Sequence, residues 1–330
     1  MLSNILNLHP EILSLSEFFS MQGLRSLLPG ELTGTQYWEQ LATQTRTMRV
    51  VSTSETAPTE FLYDESMGRF AIDKVPPLMI SVLPHLTRDP QALYDELAQV
   101  VELFPKQVVE AHHEMVFQWL TERLERKVWV ERTGLSQMYA KLLPDLFPDA
   151  KFVLLYRDGR DVALSMQAFK PIRPAIWNWK WFRKLGSNPI DINNPAGRSR
   201  SLRFIDRFLA SNAFIRWMVN HPPPLKDCAE FWSELMLTSL SAFSLLPAGR
   251  RHWLDYEQLV CDPRAEIRSL GRFLGVADNA EWLHRGSLIP KPFEARWNRL
   301  DAAMQNDLAR WTRRGREAAL ACSLAMYENG

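Results

Sequence analysis

Phe152-Val153-Leu154-Leu155-Tyr156-Arg157-Asp158-Gly159-Arg160-Asp161-Val162-Ala163-Leu164-Ser165 is the stretch on which the reading of this chain turns. Its first five residues are apolar toward both faces, as a strand must be when helices cover a parallel sheet on each side. A helix begins near Gly159 or Arg160, which gives the strand–turn–helix order of an α/β unit. Three more short segments read as buried strands: Ile12–Ser16, Val128–Arg132 and His252–Tyr256. Leu135, Met138, Tyr139, Leu142 and Leu146 recur at helical intervals and predict a helix over 135–146. Past the fourth strand, Asp262 is an N-cap, Pro263 a first helical residue and Gly275 a stop. Ile267, Leu270, Phe273 and Leu274 form the apolar face between those ends. The fold class is therefore α/β, a parallel sheet flanked by helices. Ligands of such sheets bind just past the carboxyl ends of the strands.

Working outward, the 330 residues read as one domain over 1–330. Its parts are a helix and strand over 1–19, a mostly helical 20–125, a strand–helix unit over 126–168, a proline-containing insertion over 169–227, and a strand–helix unit with a tail over 228–330. Apolar residues make up 46% and charged residues 23%, which excludes a disordered chain. Lys and Arg number 39 against 38 Asp and Glu, so no global charge points to nucleic acid, and no reader module is recognisable. Cys228, Cys261 and Cys322 have no metal-ligand spacing and read as reduced thiols. No apolar run reaches the roughly 18–20 residues of a membrane helix, and the N-terminus lacks a basic leader. A soluble, cytoplasmic protein is expected. One asymmetry hides in the balanced total: Lys170 to Arg216 holds ten Lys/Arg against two Asp, with Trp177, Trp179 and Trp181 inside it and Trp217 directly after it.

Arg157 stands at the end of the 152–156 strand, and Ser165 lies somewhat over a turn into the next helix. A guanidinium fork, a hydroxyl and a helix N-terminus together make a phosphate receptor. A charged turn with an Asp–Arg pair and a helix cap accounts for the same residues. Physical chemistry alone leaves both readings open.

The segment from Phe147 through Ser165 resembles the 3′-phosphate-binding segment of sulfotransferases that use 3′-phosphoadenosine 5′-phosphosulfate (PAPS). The family's Arg and Ser, eight positions apart, correspond to Arg157 and Ser165. Trp129-Val130-Glu131-Arg132-Thr133-Gly134 is similar to the W-x-E-K-T-P strand end of bacterial members. Asp255-Tyr256-Glu257-Gln258-Leu259-Val260-Cys261-Asp262-Pro263 resembles the Y-E-D-L…D-P segment, whose Tyr lies against the nucleotide. Arg296-Trp297 resembles the late basic-aromatic motif. Four motifs in the family's order are far more specific than any one alone. The resemblance implies a P-loop-like three-layer sandwich, with PAPS as donor, no metal, and Arg157, Ser165, Tyr256 and Arg296 on the nucleotide.

The family's 5′-phosphosulfate loop, written P-R-S-G-T-T, is not found in the chain. Met1-Leu2-Ser3-Asn4-Ile5-Leu6-Asn7-Leu8-His9-Pro10-Glu11 resembles the helix after that loop together with its H-P-E end. The expectation is that the natural protein is longer and supplies the loop upstream; the alternatives are a true truncation, which would leave this chain inactive, and an artificial boundary at Met1. Glu17 falls where tyrosylprotein sulfotransferases place their catalytic Glu, making it the candidate base. The competing account has Ser16 capping the next helix and Glu17 complementing its dipole. Arg132 stands where relatives carry Lys, so charge stabilisation rather than proton donation is its expected role. Glu131 is expected to pair with Arg132, and His112-His113 to be a packed or surface pair. The basic, Trp-rich stretch falls where the family builds its acceptor pocket. It suits a small or lipid-like hydroxyl acceptor or peripheral contact of residues 170–217 with an anionic membrane. The rival readings are a non-catalytic nucleotide-binding remnant of the fold and a P-loop kinase relative. The kinase lacks its GxxxxGK[ST] motif here. Single-strand nucleic-acid binding is the least favoured.

Overall fold

A computed structural model describes residues 1–27, 30–51, 61–64, 66, 68–186, 211–292 and 294–328. The chain divides into two compact units, Met1–Ser136 with Pro263–Pro290, and Gln137–Asp262 with Lys291–Gly330.

In the first unit, helix α1 (Leu2–Asn7) leads into strand β1 (Ile12–Ser16), which is buried along its whole length. β1 pairs in parallel with β4 (Val128–Arg132), from Ile12 opposite Val128 to Ser16 opposite Arg132. Between them in sequence, β2 (Glu31–Leu32) and β3 (Gln107–Val108) form a short antiparallel pair. Ile5 and Leu6 of α1 are buried, and the Trp282 indole of helix Ala280–Ser287 donates to the Ile5 carbonyl at 2.7 Å. Helix α2 (Phe18–Gln22) follows β1 directly, and α3 (Val109–Arg123) packs Phe117 edge-on against Phe18. His113 of α3 is fully buried between the Tyr37 hydroxyl at 2.7 Å and the Ser26 carbonyl at 2.6 Å. Burial pulls it down to about 4, so it is neutral. The His112-His113 pair is thus core, one of its two expected roles. The helix at Pro263–Leu274 has its expected ends, and Gly275 stops it with φ +80, a backbone region costly to side chains.

The second unit holds β5 (Phe152–Tyr156), parallel to β6 (Arg251–Asp255) and in register from Phe152 opposite Arg251. β6 ends one residue earlier than the sequence implies. The Asp255 carboxylate accepts the Gln258 N–H, so Tyr256 is a first helical residue rather than a last strand residue. The expected helix over 135–146 is also corrected. It forms a 3₁₀ turn at Ser136–Tyr139 and a short helix at Leu143–Leu146. Pro144 has no N–H and restricts the residue before it, so the two pieces cannot join. Helix α4 (Gly159–Ala168) lies on α6 (Leu225–Phe243), with the Gly159 Cα against the Trp232 ring. A Cβ at Gly159 would come within 2.2 Å of that ring, so close packing demands the glycine. The core joins Leu154, Trp179, Phe231, Trp232, Met236 and Leu308. The described part of the insertion holds a 3₁₀ turn at Lys170–Ile172, helix α5 (Arg173–Lys184), a helix at Asn212–Asn220 and the start of α6. Residues 187–210 of the basic stretch lie outside the described residues. Among the described residues, no helix is long and apolar enough to cross a membrane.

Candidate active site

Two clusters sit at strand ends, one in each unit. In the second unit, α4 starts two residues beyond β5. The Asp158 side chain caps it by accepting the Arg160 N–H at 2.8 Å and also pairs with the Arg160 guanidinium at 2.5 Å. Burial raises Asp158, but the Arg160 contacts outweigh it and hold the carboxyl below its ordinary range. The Asp–Arg pair and the cap are therefore present, and they do not use Arg157. The Arg157 guanidinium lies 4.5 Å from the centre of the Tyr256 ring, a cation–π stack joining the ends of β5 and β6. Ser165, in the second turn of α4, accepts a short hydrogen bond from the Arg296 guanidinium, which also reaches the Asp161 carbonyl. The Arg296 N–H donates to the Asp161 carboxylate at 2.8 Å, and Trp297 covers Arg160 at 3.5 Å. All four residues expected on the nucleotide thus fall into two contacting pairs, Arg157–Tyr256 and Ser165–Arg296.

The first unit brings Glu17 and Arg132 together. Arg132 donates to Glu17 at 3.2 Å, to Ser16 at 2.7 Å and to Ser3 at 2.8 Å. The Glu17 carboxylate also accepts from the Gly134 N–H at 3.1 Å and the Ser20 hydroxyl at 2.7 Å. Glu17 occupies the left-handed region, φ 59, at the junction of β1 and α2, and its N–H donates to the Arg132 carbonyl at 2.7 Å. Ser16 therefore does not cap α2, since its hydroxyl serves Arg132. Nor does Glu131 bond Arg132. The pleat of β4 sends the two to opposite faces, and Glu131 accepts from Phe19 and Thr133 instead. Burial pushes Glu131 up to about 8.

Sequence reasoning missed Ser3, Ser20 and Gly134 as partners of this pair, and Asp161 as the anchor of Arg296. Asp161 is fully buried although its side chain is polar, a signal visible only as the second Asp of Arg157-Asp158-Gly159-Arg160-Asp161. The four basic-stretch tryptophans divide. Trp179 is core, Trp177 donates to the His221 carbonyl at 3.0 Å, and Trp181 and Trp217 are more than a third exposed.

Parallel strand pairs, helix-starting turns at their ends, and basic groups set on hydroxyl and ring partners define an α/β protein with guanidinium groups gathered at its strand ends. The chain belongs to the sulfotransferase family, whose sulfotransferase domain matches residues 93–286, more than half of its length. Its α/β architecture accords with the P-loop-like sandwich expected of that family. Arg132, Arg157, Ser165 and Tyr256 lie inside the matched span, Glu17 and Arg296 outside it. A solved structure, the sulfotransferase domain from the curacin biosynthetic pathway, is similar over 92% of this chain and 76% of its own, at 15% identity and a TM-score of 0.41. No curated protein matches the chain significantly.

Proposed function

We propose that the chain transfers a sulfuryl group from PAPS to a hydroxyl of a small or lipid-like acceptor. The observation that carries this reading is the Ser165–Arg296 contact on α4, the helix headed by the Arg157–Tyr256 stack. Two guanidinium groups and a hydroxyl at one helix suit a nucleotide phosphate. Arg157, Ser165 and Arg296 are assigned to the 3′-phosphate, and Tyr256 to the nucleotide beside it. In the transfer, the acceptor oxygen bonds to sulfur as the bond from sulfur to the 5′-phosphate oxygen breaks. The hydroxyl proton passes to Glu17, which exchanges one of its present donors for the acceptor. The electron pair leaves with 3′-phosphoadenosine 5′-phosphate (PAP), and Arg132 stabilises the charge that develops there. The exposed Trp181 and Trp217, on a basic stretch, support peripheral contact with an anionic membrane from the cytoplasmic side.

The test is a calorimetric titration of PAP into the chain and into Arg157→Ala. The mutant is expected to bind about 10- to 100-fold more weakly, the loss of one charge-assisted contact. Equal binding by both proteins, or none by either, defeats the assignment. Binding without transfer to any hydroxyl would instead favour the non-catalytic remnant.

A further inference from the structure

Strand β4 carries a second carboxyl that the proposed transfer leaves unused. Arg132 leaves one face of the strand toward Glu17, while Glu131 leaves the other toward α2. There Glu131 Oε1 accepts the Phe19 N–H at 3.3 Å and the Thr133 hydroxyl at 2.5 Å. Phe19 is the second residue of α2, so its N–H has no acceptor within the helix. Ordinarily the residue ahead of a helix provides that acceptor through its own side chain. Here that residue is Glu17, and it makes no such bond. Its carboxylate is turned to Arg132, Gly134 and Ser20, from a left-handed backbone that persists only when its surroundings hold it.

We propose that Glu131 is a positioning residue, which caps α2 from the neighbouring strand and so leaves the Glu17 carboxylate to face Arg132. Without an outside acceptor, the exposed N–H groups of α2 compete with Arg132 for Glu17. Glu131 plays this part as a neutral acid at pH 7. Burial raises it most, the Glu17 charge adds to that, and Thr133, Phe19 and Arg132 oppose it, for a net value of about 8. The charged groups that act on it are Glu17 at the head of α2 and Arg132 on β4. A neutral cap spares the site a second negative charge competing for one guanidinium. The catalytic meaning rests on Glu17 being the base, but the geometry can be tested without it.

Glu131→Gln keeps the accepting oxygen and the neutral state, whereas Glu131→Ala removes the acceptor. Each change is made in the full chain, and Glu17–Arg132 coupling is measured by a stability cycle of Glu17→Gln and Arg132→Met in each background. Coupling is expected to survive in Glu131→Gln and to be lost in Glu131→Ala. Equal coupling in both backgrounds means Glu131 is merely structural and overturns the proposal. Glu131→Met takes the alanine's place if that variant does not fold. Thermal unfolding between pH 6.5 and 8 supplies a second readout. Folded Glu131 keeps a proton that the unfolded chain has released, so its contribution falls as pH rises and levels off above about 8. Glu131→Gln is expected to remove this slope, and an unchanged slope also overturns the proposal. Neither readout depends on PAP binding or sulfuryl transfer, so failure of the proposed function registers separately.

Discussion

The two strand-end clusters handle charge in different ways. In the first unit, a carboxylate and a guanidinium face each other at 3.2 Å, and three serines and a backbone N–H fill in around them. Charge is compensated inside the cluster, which suits groups that must pass a proton or meet a charge as it develops. In the second unit, Arg157 meets an aromatic face and Arg296 meets a hydroxyl and a carbonyl. The contacts described for these two guanidinium groups run to uncharged partners, where Arg132 meets a carboxylate. The contrast matches a division between chemistry and anchorage, and each half can be tested without the other.

The largest expected effect belongs to Glu17→Gln. Amide and carboxylate have the same shape, but the amide takes no proton at neutral pH. Sulfuryl transfer should fall by roughly 10²- to 10⁴-fold, the usual worth of a general base. PAP affinity, measured by the titration described for Arg157→Ala, should stay the same. If Glu17→Gln also abolishes PAP binding, or if transfer is untouched, the division between the clusters breaks.

A second effect sets two buried groups of the first unit against each other by pH. Fully buried His113 belongs to the first unit and is lowered to about 4. The unfolded chain takes up a proton that folded His113 refuses. Its contribution is complete above about 6.5 and is lost as pH falls through about 4, a loss of about 3 kcal/mol. Glu131 works in the opposite sense, its contribution declining as pH rises toward about 8. Urea unfolding at pH 7 and pH 4.5 should therefore show an acid weakening that His113→Gln reduces. An acid slope unaltered by that substitution would assign the weakening to other groups.

Phe152–Tyr156 was legible because five consecutive apolar residues have little use except in a covered strand. The end of β5 was legible for a related reason, since a helix could be read to begin near Gly159 or Arg160. Tyr256 was misplaced because aromatic residues favour strands, while the cap supplied by Asp255 decides the backbone. The 135–146 helix failed because apolar spacing outvoted one proline. Arg157, Ser165, Tyr256 and Arg296 were assigned to a nucleotide by resemblance, and spacing alone left a charged turn as good an account. Ser3 and Gly134 could not be found at all. They reach Arg132 and Glu17 from 129 and 117 residues away in sequence, and only the β1–β4 pairing brings them near. Glu131 shows the converse, since adjacency to Arg132 suggested a pair that the strand pleat forbids.

The smallest effect tests how far the second cluster is preassembled. Ser165 receives a short bond from Arg296, whose backbone N–H is fixed separately on buried Asp161. Removing the hydroxyl in Ser165→Ala loses one hydrogen bond to the guanidinium and one to any phosphate held there, but leaves the Asp161 anchor intact. A single hydrogen bond is worth about 0.5–1.5 kcal/mol, so PAP should bind roughly 2- to 10-fold more weakly, well short of the loss in Arg157→Ala. If Ser165→Ala matches Arg157→Ala, the hydroxyl sets the position of Arg296 as well as touching the phosphate, and the Asp161 anchor alone does not hold the arginine in place. An intermediate loss identifies Arg296 as held mainly from its backbone, with Ser165 contributing as one donor among several.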